Sequence, residues 1–333
     1  MKNTKFIWII AIIIVVIGAS IWAFSKNQQP TAQNQETIKI GYLPLTDHLP
    51  LMVTSGNDMF EGLNVEPVKF TDWPSLVEAL KAGKIDGAHI INTLAVKMVS
   101  EGFEGQAVAL SHRGDIGLSV TSRNPITDVQ ELKGKTIAVP TRFSPHFMML
   151  HNYLTSNGID VDKDVTILDV APPDFISTMA SGKVDAFIGS EPFPTLAESK
   201  EIGTTFKLWD EMQIEGTNGL DCVIVFSTDF IDNSQNLVQS YVDSIIKAGL
   251  YIENNPLGAA TVASPFMLNI APELLVKAID EPKNRSSYDS LTPVYSEFEK
   301  FQDYMIKVGL IKEPIDLKTF VNDSFAKKAY RGL

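Results

Sequence analysis

Pro74-Ser-Leu-Val-Glu-Ala-Leu-Lys-Ala-Gly-Lys-Ile-Asp-Gly-Ala-His-Ile90 returns 99 residues later as Pro173-Asp-Phe-Ile-Ser-Thr-Met-Ala-Ser-Gly-Lys-Val-Asp-Ala-Phe-Ile-Gly189. Pro, Gly, Lys and Asp recur at the same places. Each copy reads the same way locally. Pro74 and Pro173 suit the first turn of a helix, where a missing N–H costs nothing. Val77 and Leu80, and Ile176 and Met179, mark one apolar helical face. Gly83 and Gly182 fit the left-handed position that ends a helix. Ile85–Ile90 and Val184–Gly189 then read as short buried strands.

Outward from these copies lies a second matching pair. Ile38-Lys-Ile-Gly-Tyr-Leu-Pro44 is a strand ending in Pro, followed by Thr46-Asp47-His48 and an apolar helix start. Lys135-Thr-Ile-Ala-Val-Pro140 is another, followed by Ser144-Pro145-His146, with Phe147, Leu150 and Leu154 on one helical face. Two similar β-loop-α-β-α-β units therefore begin near residues 37 and 134. Alternating strands and helices imply mostly parallel sheets with right-handed crossovers. Phe206–Trp209 and 222–226 read as further strands and the remainder as mostly helical. Leu237, Tyr241, Ile245, Ala248 and Ile252 share a face, as do Phe298, Phe301, Met305 and Val308. The expected division is a first lobe over 36–115, a second over 116–219, and a return to the first over 220–333. Chain crossings near 111–117 and 216–221 would form a hinge.

The 19 residues from Phe6 to Phe24 carry no charge. As a helix they span roughly 28 Å, close to the thickness of a bilayer core. Lys2 and Lys5 precede them, which places the N-terminus in the cytoplasm and the rest outside. Residues 1–35 thus read as a membrane anchor plus polar tether, with a cleaved signal peptide as the alternative. Lys and Arg total 28 against 40 Asp and Glu, a net charge of −12. That excludes a general nucleic-acid role, which needs a basic footprint. The lone Cys222 has no partner for an internal disulfide and reads as a small core residue of a strand. No glycine-rich nucleotide loop and no zinc-type Cys or His spacing appears, so no cofactor, resident metal or catalytic residue is expected.

The segments Gly41-Tyr-Leu-Pro-Leu-Thr-Asp-His-Leu-Pro-Leu-Met52, Trp73, Gly83–His89, Val139-Pro-Thr-Arg-Phe-Ser-Pro-His-Phe147, Ala171-Pro-Pro173 and Gly182–Pro192 together resemble the extracytoplasmic substrate-binding proteins of ABC importers, in the nitrate/sulfonate/taurine-binding group. The resemblance covers about residues 36–255. It implies an α/β fold of the type II periplasmic-binding-protein kind, an ABC permease as partner, and a monomer. Relatives in that group take nitrate, bicarbonate, sulfonates or heteroaromatic vitamin precursors.

In open parallel sheets ligands bind beyond the carboxyl ends of strands. That rule selects the candidate ligand-binding residues. Thr46, Asp47 and His48 follow the first strand; their main-chain amides can grip an anion, or Thr46 and Asp47 can simply cap. Trp73 can stack on a ligand or donate one hydrogen bond, or pack under its helix. His89 and Asn92 end the 85–90 strand. Arg113, beside His112 at the first crossing, offers a bidentate clamp for an oxyanion, or a solvated hinge residue; the Arg-Gly-Asp triplet at 113–115 reads as chance. Thr141, Arg142, Ser144 and His146 are the richest segment, with a good N-cap, a guanidinium and an imidazole at one helix start. Ser190 and Glu191 end the second-lobe strand. His151 reads as structural, and so do Asp86 and Asp185. The leading expectation is a receptor that closes on a small oxyanion or organosulfonate. The alternatives are a ring sandwiched by Trp73, Phe143 and Phe193 with Glu191 taking its donor, or an enzyme on the same fold.

Overall fold

The computed structural model describes residues 37–280 and 286–333. The expected anchor and tether, residues 1–35, lie outside them. Among the described residues no helix is long and apolar enough to cross a membrane. The strands are β1 (Thr37–Tyr42), β2 (Asn64–Lys69), β3 (Gly87–Ile91), β4 (Gly105–Leu110), β5 (Arg113–Gly114), β6 (Ile116–Thr121), β7 (Thr136–Val139), β8 (Thr166–Asp169), β9 (Ala186–Ser190), β10 (Gly203–Leu208), β11 (Cys222–Ser227) and β12 (Ser286–Ser287).

They form two five-stranded sheets of the same order. The first runs β2-β1-β3-β11-β4 and the second β8-β7-β9-β6-β10. In each, three strands are parallel, as the alternating pattern predicts. The fourth, β11 or β6, is antiparallel to both of its neighbours. This strand is what the repeat alone does not reveal, because it lies outside the repeat. It is laid down just after the chain crosses from one lobe to the other.

The repeat itself makes equivalent bonds in both lobes. Gly83 and Gly182 sit at φ 63° and 79°. Their N–H groups bond to Leu80 O and Met179 O, and the next residues, Lys84 and Lys183, bond back to Ala79 O and Thr178 O. This is a Schellman ending, and it requires the left-handed residue. Asp86 accepts from Lys39 N at 2.7 Å and Asp185 from Thr136 N at 2.9 Å, so each ties the first strand of its repeat unit, β1 or β7, to the third, β3 or β9. The fully buried helical face is Leu76 and Leu80 in one copy and Phe175 and Met179 in the other: Leu80 and Met179 as expected, with Leu76 and Phe175 taking the places expected for the partly buried Val77 and Ile176. Pro74 lies inside the helix Trp73–Lys81, whereas Pro173 lies in a single 3-10 turn before the helix Phe175–Ala180.

The two crossings lie side by side. Gly114 N donates to Gly219 O at 2.9 Å, Arg113 bridges Leu220, and β12 pairs antiparallel with β5. A Cβ on Gly219 would stand 3.0 Å from Gly114 N, so the close approach needs glycine. The long helix Thr228–Asn254 packs on Leu49–Gly56 and on Ser324–Arg331, returning the chain to the first lobe. The helix Tyr295–Lys307 touches Asn92–Ser100 in one lobe and Pro145–Ser156 in the other.

Candidate functional site

β1 ends at Tyr42, and a 3-10 turn, Thr46–His48, carries the chain into the helix Leu49–Gly56. Thr46, Asp47 and His48 are fully buried there. His48 packs among Leu43, Trp73 and His89 of its own lobe, whereas Thr46 and Asp47 meet the second lobe. The Thr46 hydroxyl lies 2.8 Å from both Glu191 O and Asp115 Oδ2, and Thr46 N donates to Glu191 O. Ser190 Oγ donates to Asp47 Oδ2 at 3.0 Å, and His146 Nε2 lies 2.8 Å from that same hydroxyl. The Thr93 hydroxyl donates to Phe143 O across the same boundary. The end of β9 thus meets the Thr46–His48 turn directly, and the segment after β7 reaches the first lobe at Thr93 and supports Ser190 through His146.

Around Asp47 stand groups that the crossings deliver. His112 and Asp115 come from the first, and Asp221 immediately precedes β11. His112 Nε2 is 3.3 Å from Asp115 Oδ1 and 3.6 Å from Asp221 Oδ2. One ligand-type atom from each of Asp47, His112, Asp115 and Asp221 lies within 4.8 Å of the others. Cys222 Sγ donates to Asp47 Oδ2 at 3.2 Å. Burial disfavours charge on every one of these groups. Burial first, and the neighbouring Asp115 charge second, push the Asp47 carboxyl up to about 8. Burial also raises Asp115 and Asp221 well above the usual carboxylate range. The same cause pulls His48 and His146 down to about 3, leaving both imidazoles neutral.

Buried polar atoms normally find a partner. Here Asp47 Oδ1, His48 Nε2, Trp73 Nε1, Asn92 Oδ1, His146 Nδ1, both His112 nitrogens, Asp115 Oδ1 and both Asp221 oxygens have no protein hydrogen-bond partner. Five of those residues belong to the expected set. Other expected residues sit elsewhere. His89 has both nitrogens engaged, by Ser111 Oγ and Tyr241 OH, inside the first lobe. Ser144 caps its helix by accepting from Phe147 N, and Thr141 accepts from Phe143 N at 3.3 Å. Arg113 does not form the expected clamp: its guanidinium bonds to Glu297, Asn218 O and Ser290 O. Arg142 is exposed, bonding to Ile167 O and standing 4.0 Å from Asp169. Phe193 lies edge-on against Phe175 in the core, and Trp73 edge-on against His48, so the expected ring sandwich does not assemble. Glu191 Oε2 accepts from Thr195 N in the next turn.

The expected set lacked Asp115, Asp221 and His112. Asp115 was hidden in a triplet that reads as chance, and Asp221 beside the breaker Gly216–Leu220. Only their position at paired crossings could have flagged them.

The NMT1-like family matches residues 31–265, more than half of the sequence. The chain belongs to that family. It is 24% identical over 237 residues to the nitrate/nitrite binding protein NrtA of Nostoc sp., covering 63% of this chain and 52% of that protein. The chain thus spans about half the length of that relative. It is 26% identical over 290 residues to a putative aliphatic sulfonates-binding protein of Bacillus subtilis, covering 84% of each. The fold matches a ligand binding component of an ABC-type import system from Staphylococcus aureus, solved with zinc bound, with TM-score 0.77 and 23% identity over 89% of this chain and 99% of that one.

Proposed function

We propose that this chain is the substrate-binding component of an ABC importer, closing its two lobes on a small oxyanion or organosulfonate and handing it to the permease. The observation that carries this reading is the concentration of buried polar atoms without protein partners where the lobes meet. Such atoms suit a solute that supplies the missing bonds. The available donors are neutral: the Trp73 indole N–H, the His48 Nε2–H in the tautomer whose Nδ1 accepts from Leu43 N, and the Asp47 carboxyl, which holds its proton near neutral pH. The neutral His146 ring gives its one N–H to Ser190, whose proton goes to Asp47, and presents Nδ1 as an acceptor. Neutral donors bind an oxyanion without a guanidinium, provided their partners on the protein side fix their direction. The names of the nitrate and sulfonate relatives support the solute class. On this reading the protein is a monomeric receptor, not an enzyme, held outside the cytoplasmic membrane by residues 6–24.

A thermal-shift panel on the full chain tests the solute class, with nitrate, bicarbonate, taurine, alkanesulfonates, a thiamine pyrimidine precursor and riboflavin. A solute at 100 times its Kd stabilises the fold by about 2.7 kcal/mol, which moves the melting temperature clearly. A shift with an oxyanion or sulfonate supports the reading. A shift with only the heteroaromatic compounds, or with none at millimolar concentration, overturns it.

A further inference from the structure

We propose that Asp47, His112, Asp115 and Asp221 form a binding site for one divalent cation of the zinc class. The inference goes beyond the importer reading and does not depend on which solute that reading takes.

The donors come from separate stretches of the chain. Asp47 lies on the turn after β1, His112 and Asp115 on the first crossing, and Asp221 at the end of the second. Their ligand-type atoms lie within 4.8 Å of one another, and all four residues are 0–2% exposed. The 3.3 and 3.6 Å separations from His112 Nε2 to the two carboxylates match the edge of a tetrahedral site with bonds of about 2.0–2.1 Å.

The hydrogen bonds point the same way. Asp47 Oδ2 accepts from Ser190 and Cys222, and Asp115 Oδ2 accepts from Thr46. The opposite oxygen of each carboxylate, Asp47 Oδ1 and Asp115 Oδ1, has no protein donor. Neither Asp221 oxygen nor either His112 nitrogen completes a hydrogen bond in good geometry, although the Ser190 hydroxyl acts on Asp221 and the Gly114 backbone on His112. One carboxylate oxygen fixed by the protein and the other left open is how outer groups orient metal ligands. No Lys or Arg side chain bonds to the three carboxylates among the described residues. The open oxygens lack a partner in the metal-free protein, and a cation that displaces the carboxyl protons supplies one. An imidazole nitrogen in the set selects a transition metal over calcium or magnesium. Cys222 is a positioning residue here, holding Asp47 through Oδ2.

The test uses the full chain, stripped with EDTA and dialysed. Zinc is titrated calorimetrically and counted by elemental analysis after gel filtration. One zinc per chain is expected. Asp221→Asn and His112→Gln should each weaken binding by more than about tenfold, while His151→Ala, outside the cluster, leaves it unchanged. Melting curves without metal check that the variants fold. If they do not, the cobalt(II) spectrum of the unaltered chain decides. Visible bands of a four-coordinate nitrogen and oxygen site support the assignment, and their absence overturns it. A thiolate-to-cobalt charge-transfer band would move the ion onto Asp47, His112 and Cys222 and overturn the four-ligand set. Equal affinity for calcium or magnesium overturns the metal class. No retained zinc, or undiminished binding in both variants, overturns the site. The solute panel is read without metal and the zinc titration without solute, so either result can fail alone.

Discussion

Asn92 stands at the end of β3, and Glu191 stands at the equivalent place, 99 residues on, at the end of β9. By the same offset Leu76 corresponds to Phe175, Trp73 to Pro172 and His89 to Ile188. Within the two repeats the positions that shape the backbone agree: both glycines end helices, and both aspartates tie strands together. The positions at the carboxyl edge differ. The first lobe and the crossings gather three buried carboxyls, Asp47, Asp115 and Asp221, whereas the second lobe brings a hydroxyl from Ser190, an imidazole from His146, the Glu191 carbonyl and a single buried carboxyl, that of Glu191, engaged by Thr195 N. Shared architecture therefore builds two matching platforms, and unlike edges let one platform complement the other. Two identical acidic edges would repel on closing.

Four experiments press on that comparison. Phe175→Ala should cost about 3–5 kcal/mol and Leu76→Ala about 2–5, by urea denaturation. Both side chains are fully buried at the same place in the repeat, and a loss below about 1 kcal/mol at either would break the equivalence of the two frames. Arg113→Ala should cost about 3 kcal/mol, because it strands the buried Glu297, and leave solute affinity intact. Arg142→Ala, on the exposed second-lobe surface, should stay within about 0.5 kcal/mol. A large affinity loss in either variant would restore the clamp that the structure dismantles.

His146→Ala should weaken solute binding by about tenfold to a hundredfold, or about 1.4–2.7 kcal/mol, with melting nearly unchanged. His48→Ala, whose Nδ1 is also fixed at 2.9 Å from the Leu43 backbone, should lower both affinity and melting temperature. Unaltered affinity in His146→Ala would remove the second lobe's imidazole from the site. A smaller stability effect than that of the core variants belongs to Gly83→Ala and Gly182→Ala. Each forces a side chain into the left-handed region at about 1 kcal/mol or slightly more, and Gly182→Ala should cost at least as much as Gly83→Ala, because its Cβ would stand 3.1 Å from the Arg123 guanidinium where that of Gly83 meets nothing. A larger loss at Gly83 would show that the two helix endings are not equivalent.

Much of the frame was legible because its signals are local. Helix-ending glycines, strand-ending prolines and a repeat of several identical residues need no knowledge of distant contacts. The antiparallel β6 and β11 were not, since their direction depends on where the crossings return. The site divides along the same line. Asp47, His48, Asn92, His146 and Ser190 follow from one rule about strand ends. Asp115 and Asp221 acquire meaning only when two crossings about a hundred residues apart are laid side by side. Arg113 and Arg142 misled for a related reason: a guanidinium reaches far, and its partner is set by tertiary packing rather than by neighbours in sequence.

The interleaving of the sheets has a consequence for how the chain is made. Every strand of the second sheet, β6 to β10, comes from the single stretch 116–208. The first sheet needs β11 between β3 and β4, and β11 emerges only after all of the second lobe. A chain that appears N-terminus first therefore completes its later lobe before its earlier one. Until Cys222–Ser227 arrives, β3 and β4 each keep an unpaired edge, which is the period when this protein is most exposed to strand-mediated aggregation.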